Sequence, residues 1–172
     1  MDASQKKGLL VGCGIPLAIP LGVMLVLAAP NIVAWLSPNP PRPEITYGEF
    51  PFRIEYEVYG ELMVLEDVVI CEFDGFRLSG PNRLRSWKKR LASGAEEAVL
   101  LVTNSGTLLY CNTKSAPYYM GEFNGNAGNT QLGAVIRSGS RDRAISNSEL
   151  YDTYGIRLIS WEFSPPIENS YR

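Results

Sequence analysis

The sequence predicts an α+β protein, with a single N-terminal transmembrane helix followed by an antiparallel-sheet domain that carries two or three short helices. Three observations support this fold class. An uncharged run extends from Gly8 to Leu36, apolar and polar positions alternate from Phe50 onward, and Ser146 with Glu149 forms a helix capping box. The predicted organisation is a cytoplasmic N-terminus at 1–7, a transmembrane helix at 8–36, a proline-rich spacer at 37–44 and an extracytoplasmic domain at 45–172.

The uncharged run has the length and composition of a signal anchor. Its 29 residues include only one conventionally polar side chain, Asn31. A bilayer core about 30 Å thick requires roughly 20 apolar residues in a helix. Lys6 and Lys7 precede the run, whereas only Arg42 follows it closely. This bias predicts a single-pass protein of the cell membrane with its N-terminus in and its C-terminal domain out.

Two kinds of processing compete with this anchor. A cleaved signal peptide would end in small residues, but Ala28 and Ala29 are followed by Pro30, which is an unfavourable context. Residues 10–13, which end at Cys13, also match a lipoprotein box, where some bacterial proteins are cut and acylated on cysteine. Too few apolar residues precede Cys13 for the usual hydrophobic region of about 7 to 15 residues.

Composition restricts the available chemistry. The chain of 172 residues has 16 basic and 18 acidic side chains and no histidine. The balanced charge gives no argument for nucleic acid as a partner. The lack of histidine excludes histidine-based triads, Cys-His dyads and His-ligated metal sites on this chain. The sequence therefore predicts no catalytic residue, cofactor or metal ligand.

The exported part begins with a spacer and a meander. Residues 37–44 include four prolines, which predict a stiff polyproline-like segment about 25 Å long at roughly 3.1 Å per residue. Residues 50–58 alternate as a strand with one buried face. A second strand is predicted at 62–73. Asp74 and Gly75 then predict a type I′ hairpin that leads into a short third strand.

The remaining elements are assigned from local patterns. Leu84, Trp87 and Leu91 lie at helical spacing, which predicts a short amphipathic helix at 82–93. The other predicted elements are strands at 98–103 and 107–112, a helical turn after Ser115, a strand at 132–137, a helix from Ser146 that ends at Gly155, and a last strand at 156–163.

Two segments carry a resemblance. GIRLISWEFSPPIEN at 155–169 and SAPYYMGEF at 115–123 make the chain similar to uncharacterised small single-pass membrane-anchored proteins of Gram-positive bacteria. Those proteins share a YGI, SWE and PPI pattern near their C-terminus. The resemblance covers mainly the C-terminal third. It implies a bacterial envelope protein and transfers no catalytic residues.

Two cysteines of the domain are a candidate disulfide. Cys71 and Cys111 each lie inside a predicted strand, and in an oxidising exterior they could pair across neighbouring strands. Such a bridge would close a loop of about 40 residues and stabilise the domain by roughly 4 kcal/mol in the chain-entropy model. Two buried free thiols are the alternative.

Carboxylate pairs offer the main route to enzymatic chemistry. A glycosidase needs two carboxyl groups about 5 to 10 Å apart. Glu55 and Glu57 share one strand face about 6.8 Å apart at roughly 3.4 Å per residue, although such a face is usually only solvated. Further candidate pairs are Glu66 with Asp67 and Glu72 with Asp74. Ser86 to Lys89 matches the S-x-x-K pattern of penicillin-binding enzymes without its companion motifs.

Charge order is the strongest functional signal. Residues 44–74 hold nine acidic side chains and only Arg53, whereas residues 75–93 hold six basic side chains and no acid. Mutual neutralisation on the folded surface is one interpretation. The other is an anion-binding patch for lipid headgroups or wall polymers, formed by Arg77, Arg83, Arg85, Trp87, Lys88, Lys89 and Arg90.

The sequence therefore favours a membrane-anchored extracytoplasmic interaction or binding module. Its expected partners are the bilayer, through residues 8–36, and an anionic lipid or wall polymer. The alternative is a cell-envelope enzyme that uses paired carboxylates. Glu55 and Glu57 at the floor of a deep pocket would favour the enzyme, whereas an open sheet would favour the binding module.

Overall fold

The computed structural model describes residues 37–80, 82–122 and 133–171. The predicted transmembrane helix at 8–36 and the N-terminus before it lie outside the described residues. Within the described ranges, no helix is long and apolar enough to cross a bilayer. The elements are β1 Tyr47–Val58, β2 Glu61–Ser79, β3 Asn82–Leu91, β4 Ala98–Val102, β5 Leu108–Cys111, α1 Ala116–Tyr119, β6 Ala134–Ser138, β7 Arg141–Ile145, α2 Asn147–Tyr154 and β8 Ile156–Phe163.

The α+β prediction is wrong, because the described chain is mostly β. It forms two four-stranded antiparallel sheets, in the orders β3-β2-β1-β8 and β4-β5-β6-β7, and has only two short helices in these ranges. The difference arises at two places. The segment predicted as a helix at 82–93 is largely a strand, and the strand β7 was not predicted at all.

Strand β3 shows why the helical pattern misled. Its apolar residues fit a helix, but most of the ten residues also fit the alternation of a strand: Arg85 and Trp87 are half-buried and Leu91 is buried, whereas Lys88 and Arg90 are exposed. When a short segment fits both the helical and the strand period, its neighbours in the fold determine which secondary structure it forms. Here β2 lies beside it and provides the hydrogen bonds of a sheet.

The turn between β2 and β3 also differs from its prediction. Asp74 and Gly75 do not form a hairpin, because β2 continues through them to Ser79. Gly75 keeps a positive φ of 82° inside the strand, and Gly80, beyond the end of β2, has a φ of 58°. Glycine adopts this conformation without steric cost, so it occurs in strand irregularities as well as in turns.

The two sheets share one hydrophobic core. Buried residues from all eight strands and both helices belong to a single cluster. The predicted inward face of β1 is confirmed, since Phe50, Phe52, Ile54 and Tyr56 are each at most 5% exposed. The Tyr56 hydroxyl also donates to the Leu100 carbonyl in the second sheet at 3.2 Å. Face-to-face burial of this kind is typical of a β-sandwich.

The predicted helix ends are confirmed. The Ser146 hydroxyl accepts a hydrogen bond from the Glu149 N–H at 3.2 Å at the start of α2. Gly155 ends that helix with a left-handed φ of 64°. Ser115 likewise caps α1 by accepting from the Tyr118 N–H. These local signals could be recognised because each lies within one helical turn of the element it limits.

The described residues belong to two units. The larger unit comprises residues 41–75 and 85–171 and contains the whole hydrophobic core. The smaller unit includes residues 37–40 and 76–84, and within it Arg83 Nη1 donates to Asn39 Oδ1 at 2.9 Å.

Residues 41–45, the docked segment, pack against the C-terminus of the larger unit. Pro43 forms an antiparallel β-bridge with Tyr171, and the Glu44 N–H donates to the Ser170 carbonyl at 2.9 Å. Half of the proline-rich stretch predicted as a spacer therefore belongs to the folded unit.

Asn169 connects three parts of this region. Its side chain accepts from the Ile45 N–H at 3.0 Å and donates to the Ile45 carbonyl at 2.9 Å and the Met120 carbonyl at 3.3 Å. Gly121 lies beside it with a φ of 74°, and a Cβ there would come within 2.4 Å of the Ile167 carbonyl oxygen. The two segments that carry the bacterial resemblance thus contact each other at this point.

We expect Gly121→Ala to destabilise the larger unit more than Gly106→Ala does. Both glycines have a positive φ, but a Cβ at Gly106 meets no atom within 4 Å. Gly106→Ala should therefore lower the free energy of unfolding by about 1–2 kcal/mol for the left-handed backbone alone. Gly121→Ala should exceed that loss by at least about 1 kcal/mol, because the backbone around Ile167 must move.

Urea unfolding of the full chain in detergent micelles, followed by near-ultraviolet circular dichroism, measures both values. Equal losses in the two variants would show that the close approach of Gly121 to Ile167 does not hold in solution.

Candidate functional site

The predicted anion-binding residues divide between the two units. Arg77 and Arg83 belong to the smaller unit, whereas β3 carries the others in the larger unit. Successive side chains of a strand point to opposite faces, so a strand does not present them as one surface. In the larger unit these residues are Arg85, Trp87, Lys88, Lys89 and Arg90.

Two cations of β3, Lys88 and Arg90, form ion pairs with the neighbouring acidic strand. Lys88 Nζ lies 2.7 Å from Asp74 Oδ1, and Arg90 Nη2 lies 3.2 Å from Glu72 Oε1. All four side chains are at least 42% exposed. Ion pairs at this exposure contribute about 0–1 kcal/mol. They neutralise acidic side chains of β2 with basic side chains of β3 and add little to the stability of the fold.

Arg85, by contrast, is held by contacts inside the larger unit. Its guanidinium pairs with Glu122, donates from Nη1 to the Pro41 carbonyl at 2.9 Å, and lies 4.1 Å from the centre of the Tyr171 ring. The side chains of Arg85 and Glu122 are only 19% and 15% exposed. Arg85 therefore fixes the docked segment and the C-terminus onto β3.

Lys89 and Trp87 also face protein. Lys89 Nζ donates to the Thr113 hydroxyl at 2.9 Å, and desolvation lowers the pKa of this lysine. Trp87 packs against the core with its ring edge-to-face on Phe73 at 5.3 Å between centroids. Its indole Nε1 is buried and has no hydrogen-bond acceptor among residues 37–80, 82–122 and 133–171. These contacts favour neutralisation over an open anion-binding patch.

Cys71 and Cys111 are free and buried, and no disulfide joins these two. Cys71 lies on β2 and Cys111 on β5, which belong to different sheets. Pairing across neighbouring strands, as the sequence suggested, is therefore not available to them. Burial raises the pKa of the Cys71 thiol to about 11 and that of the Cys111 thiol to about 12. Both thiols are protonated at neutral pH and poorly nucleophilic.

The candidate catalytic carboxylates do not converge. Glu55 accepts from Arg53 Nη2 and from the Ser160 hydroxyl, both at 2.8 Å, and these two hydrogen bonds lower its pKa. A general acid needs the opposite shift. Glu57 lies 3.9 Å from Arg157 and lines a cavity that Glu55 does not reach. The two glutamates therefore do not form a shared acid-base site.

The pair Glu66 and Asp67 and the S-x-x-K residues do not form catalytic sites either. Glu66 forms an ion pair with Arg53, and the Asp67 carboxylate accepts hydrogen bonds from the Ser93 hydroxyl and N–H. Ser86 and Lys89 lie three positions apart on a strand, so they point to opposite faces. Within the described residues, no group of three or more cysteine or acidic side chains is placed to hold a metal ion.

One open cavity of about 640 Å³ lies along β2, β1 and β8. The Phe52 and Phe163 rings stack beside it at 5.8 Å between centroids. Arg53 and Glu66 line it as an ion pair, and Asp67 lines it as the partner of Ser93. Arg53, Glu66 and Asp67 therefore already have partners, and Glu162 is the fourth charged residue of the lining.

A second open cavity has a volume of about 660 Å³ and is called the Tyr59 cleft. Its principal lining residues are Glu57, Tyr59, Tyr151, Asp152, Gly155 and Arg157. The β1–β2 turn supplies Tyr59, and α2 with the start of β8 supplies the opposite wall. Tyr59 and Tyr151 are 80% and 51% exposed. Two exposed tyrosine rings thus lie beside charged hydrogen-bonding groups.

The sequence analysis did not identify this cleft. Tyr59 precedes a glycine at a turn, and Tyr151 lies on the polar face of a short helix, which are ordinary places for a tyrosine. The sequence carries no local signal for the cleft. In the structure Tyr59 has a φ of 50°, which is uncommon for a bulky side chain.

Comparison with known proteins found no matching family model, no similar curated protein and no similar solved structure.

We expect Arg85→Gln to destabilise the larger unit far more than Arg90→Gln. Loss of the Arg85 guanidinium leaves the Glu122 carboxylate and the Pro41 carbonyl without their donor. An unpaired group in such a part-buried place costs about 1–3 kcal/mol, whereas the exposed Arg90 pair is worth at most about 1 kcal/mol. Urea unfolding of the full chain in micelles gives both losses. Equal losses would mean that Arg85 is another exposed cation.

Proposed function

We propose that this protein is a single-pass membrane protein whose larger unit is an extracytoplasmic interaction or binding module held close to the bilayer. Residues 8–36 would form the anchor, with the N-terminus in the cytoplasm. The resemblance to small envelope proteins of Gram-positive bacteria supports the same location. The larger unit begins at Pro41, five residues after the end of this anchor.

The docked segment is the observation that carries this proposal. Pro41 is the fifth residue after Leu36, and its carbonyl is already bound by Arg85 in the larger unit. Five extended residues reach at most about 18 Å at 3.6 Å each. The larger unit would therefore lie nearer the membrane than a free spacer of about 25 Å allows.

Anionic lipids or wall polymers would meet Lys88 and Arg90, the two cations of β3 that form exposed ion pairs with β2. Each basic residue at an anionic surface contributes about 1 kcal/mol. That gain is about the same as the free energy of the ion pair that the contact would replace. Contact through these two residues would therefore be weak, and specific recognition is better placed in the Tyr59 cleft. The enzyme alternative is not supported, because Glu55 and Glu57 do not share a cavity.

Labelling by a membrane-impermeant maleimide in intact cells tests the location. In the variants used for this test, Cys13 is replaced by alanine so that it cannot react. Cys71 and Cys111 are buried in the folded unit. Asn104→Cys adds a thiol at an exposed turn, and Ser4→Cys is its partner before the anchor. We expect Asn104→Cys to react in intact cells and Ser4→Cys to react only after permeabilisation.

The reverse pattern would invert the topology. Reaction of both thiols in intact cells would show that the N-terminus is also external. Protection of both until permeabilisation would place the β unit inside the cell, and each of these outcomes contradicts the proposal.

A further inference from the structure

The backbone gives the Tyr59 cleft a fixed shape. The Tyr59 N–H donates to the Gly155 carbonyl at 2.9 Å, which joins the β1–β2 turn to the end of α2. The Tyr59 ring lies directly on Gly155, where a Cβ would come within 2.4 Å of a ring carbon. Because Gly155 has no side chain, the ring can rest there. The open ring face is thus held in place before any ligand arrives, which reduces the entropy lost on binding.

The second aromatic face is also positioned. The Arg157 guanidinium carbon lies 5.1 Å from the centre of the Tyr151 ring, and Arg157 Nη1 lies 3.9 Å from Glu57 Oε2. Arg157 therefore connects the tyrosine on α2 to the carboxylate on β1. Single exposed aromatics are common on protein surfaces, but here two of them line one cleft with a shared arginine.

The chemistry of the lining selects against an ionic ligand. Glu57 and Asp152 accept hydrogen bonds, and Arg157 donates them. Since Arg157 offsets one of the two carboxylates, the cleft has no strong excess of either charge. A sugar ring fits this combination, because each hydroxyl both donates and accepts while the C–H face of the ring is apolar and stacks on a tyrosine.

We propose that the Tyr59 cleft binds a neutral oligosaccharide, with one sugar ring on Tyr59 and a neighbouring one towards Tyr151. The volume of about 660 Å³ lies within the range of about 300–1,000 Å³ that ligand sites occupy. This inference goes beyond the proposed function by naming a ligand class. It does not depend on the membrane location, so either claim can fail alone.

Ligand-observed NMR titration of the full chain tests the proposal. The chain is kept in lauryldimethylamine oxide micelles, which contain no sugar, and is titrated with neutral tetramers of glucose, galactose, mannose and N-acetylglucosamine. Tyr59→Asn removes the ring and retains a residue that tolerates a positive φ. Tyr151→Ala removes the second ring at an exposed helix position. Tyr47→Ala is the matched control, because Tyr47 is 47% exposed and does not line the cleft.

We expect at least one tetramer to bind with a millimolar Kd. Tyr59→Asn and Tyr151→Ala should each weaken that binding by about tenfold or more, and Tyr47→Ala should leave it unchanged. Near-ultraviolet circular dichroism checks that the variants remain folded. The proposal is overturned if no tetramer binds at about 20 mM, or if both cleft variants bind as tightly as the parent chain. Tetralysine binding that depends on Tyr59 and Tyr151, without saccharide binding, would assign the cleft to cationic chains instead.

Discussion

The inward face of β1 is the constraint on which both sheets depend. Phe50, Phe52, Ile54 and Tyr56 occupy every second position of a strand that lies between β2 and β8. Tyr56 also reaches the second sheet through its hydroxyl on Leu100. A shift of one residue in the pairing of β1 would turn all four side chains towards solvent. The register of the first sheet and its attachment to the second are therefore set together.

The blocks of opposite charge in the sequence are explained by strand adjacency. The acidic block includes most of β2, the basic block includes β3, and the two strands lie side by side. Asp74 and Glu72 thus meet Lys88 and Arg90. Grouped charges of opposite sign in consecutive segments can indicate a hairpin as well as a binding surface. In this unit Lys88 and Arg90 form ion pairs with the acids of β2, and the exposed tyrosines of the Tyr59 cleft lie elsewhere.

Sequence reasoning succeeded where the deciding interaction is local. The Ser146 cap and the Gly155 stop lie within one helix, and the alternation of β1 lies within one strand, so all could be recognised. The helix predicted at 82–93 failed because its backbone partner is a different strand. The Tyr59 cleft could not be found, because its two walls come together through the pairing of β1 with β8 and the hydrogen bond from the Tyr59 N–H to the Gly155 carbonyl, nearly a hundred positions along the chain.

The docked segment, residues 41–45, is the contact on which the proposed position of the larger unit near a bilayer depends. Amide hydrogen exchange of the full chain in micelles tests it at the two N–H groups that hold it. Glu44 donates to the Ser170 carbonyl and Ile45 to Asn169 Oδ1. Both amides should exchange at least about a hundredfold more slowly than in an unstructured peptide. Exchange of both at the unstructured rate would show a free spacer and contradict the account.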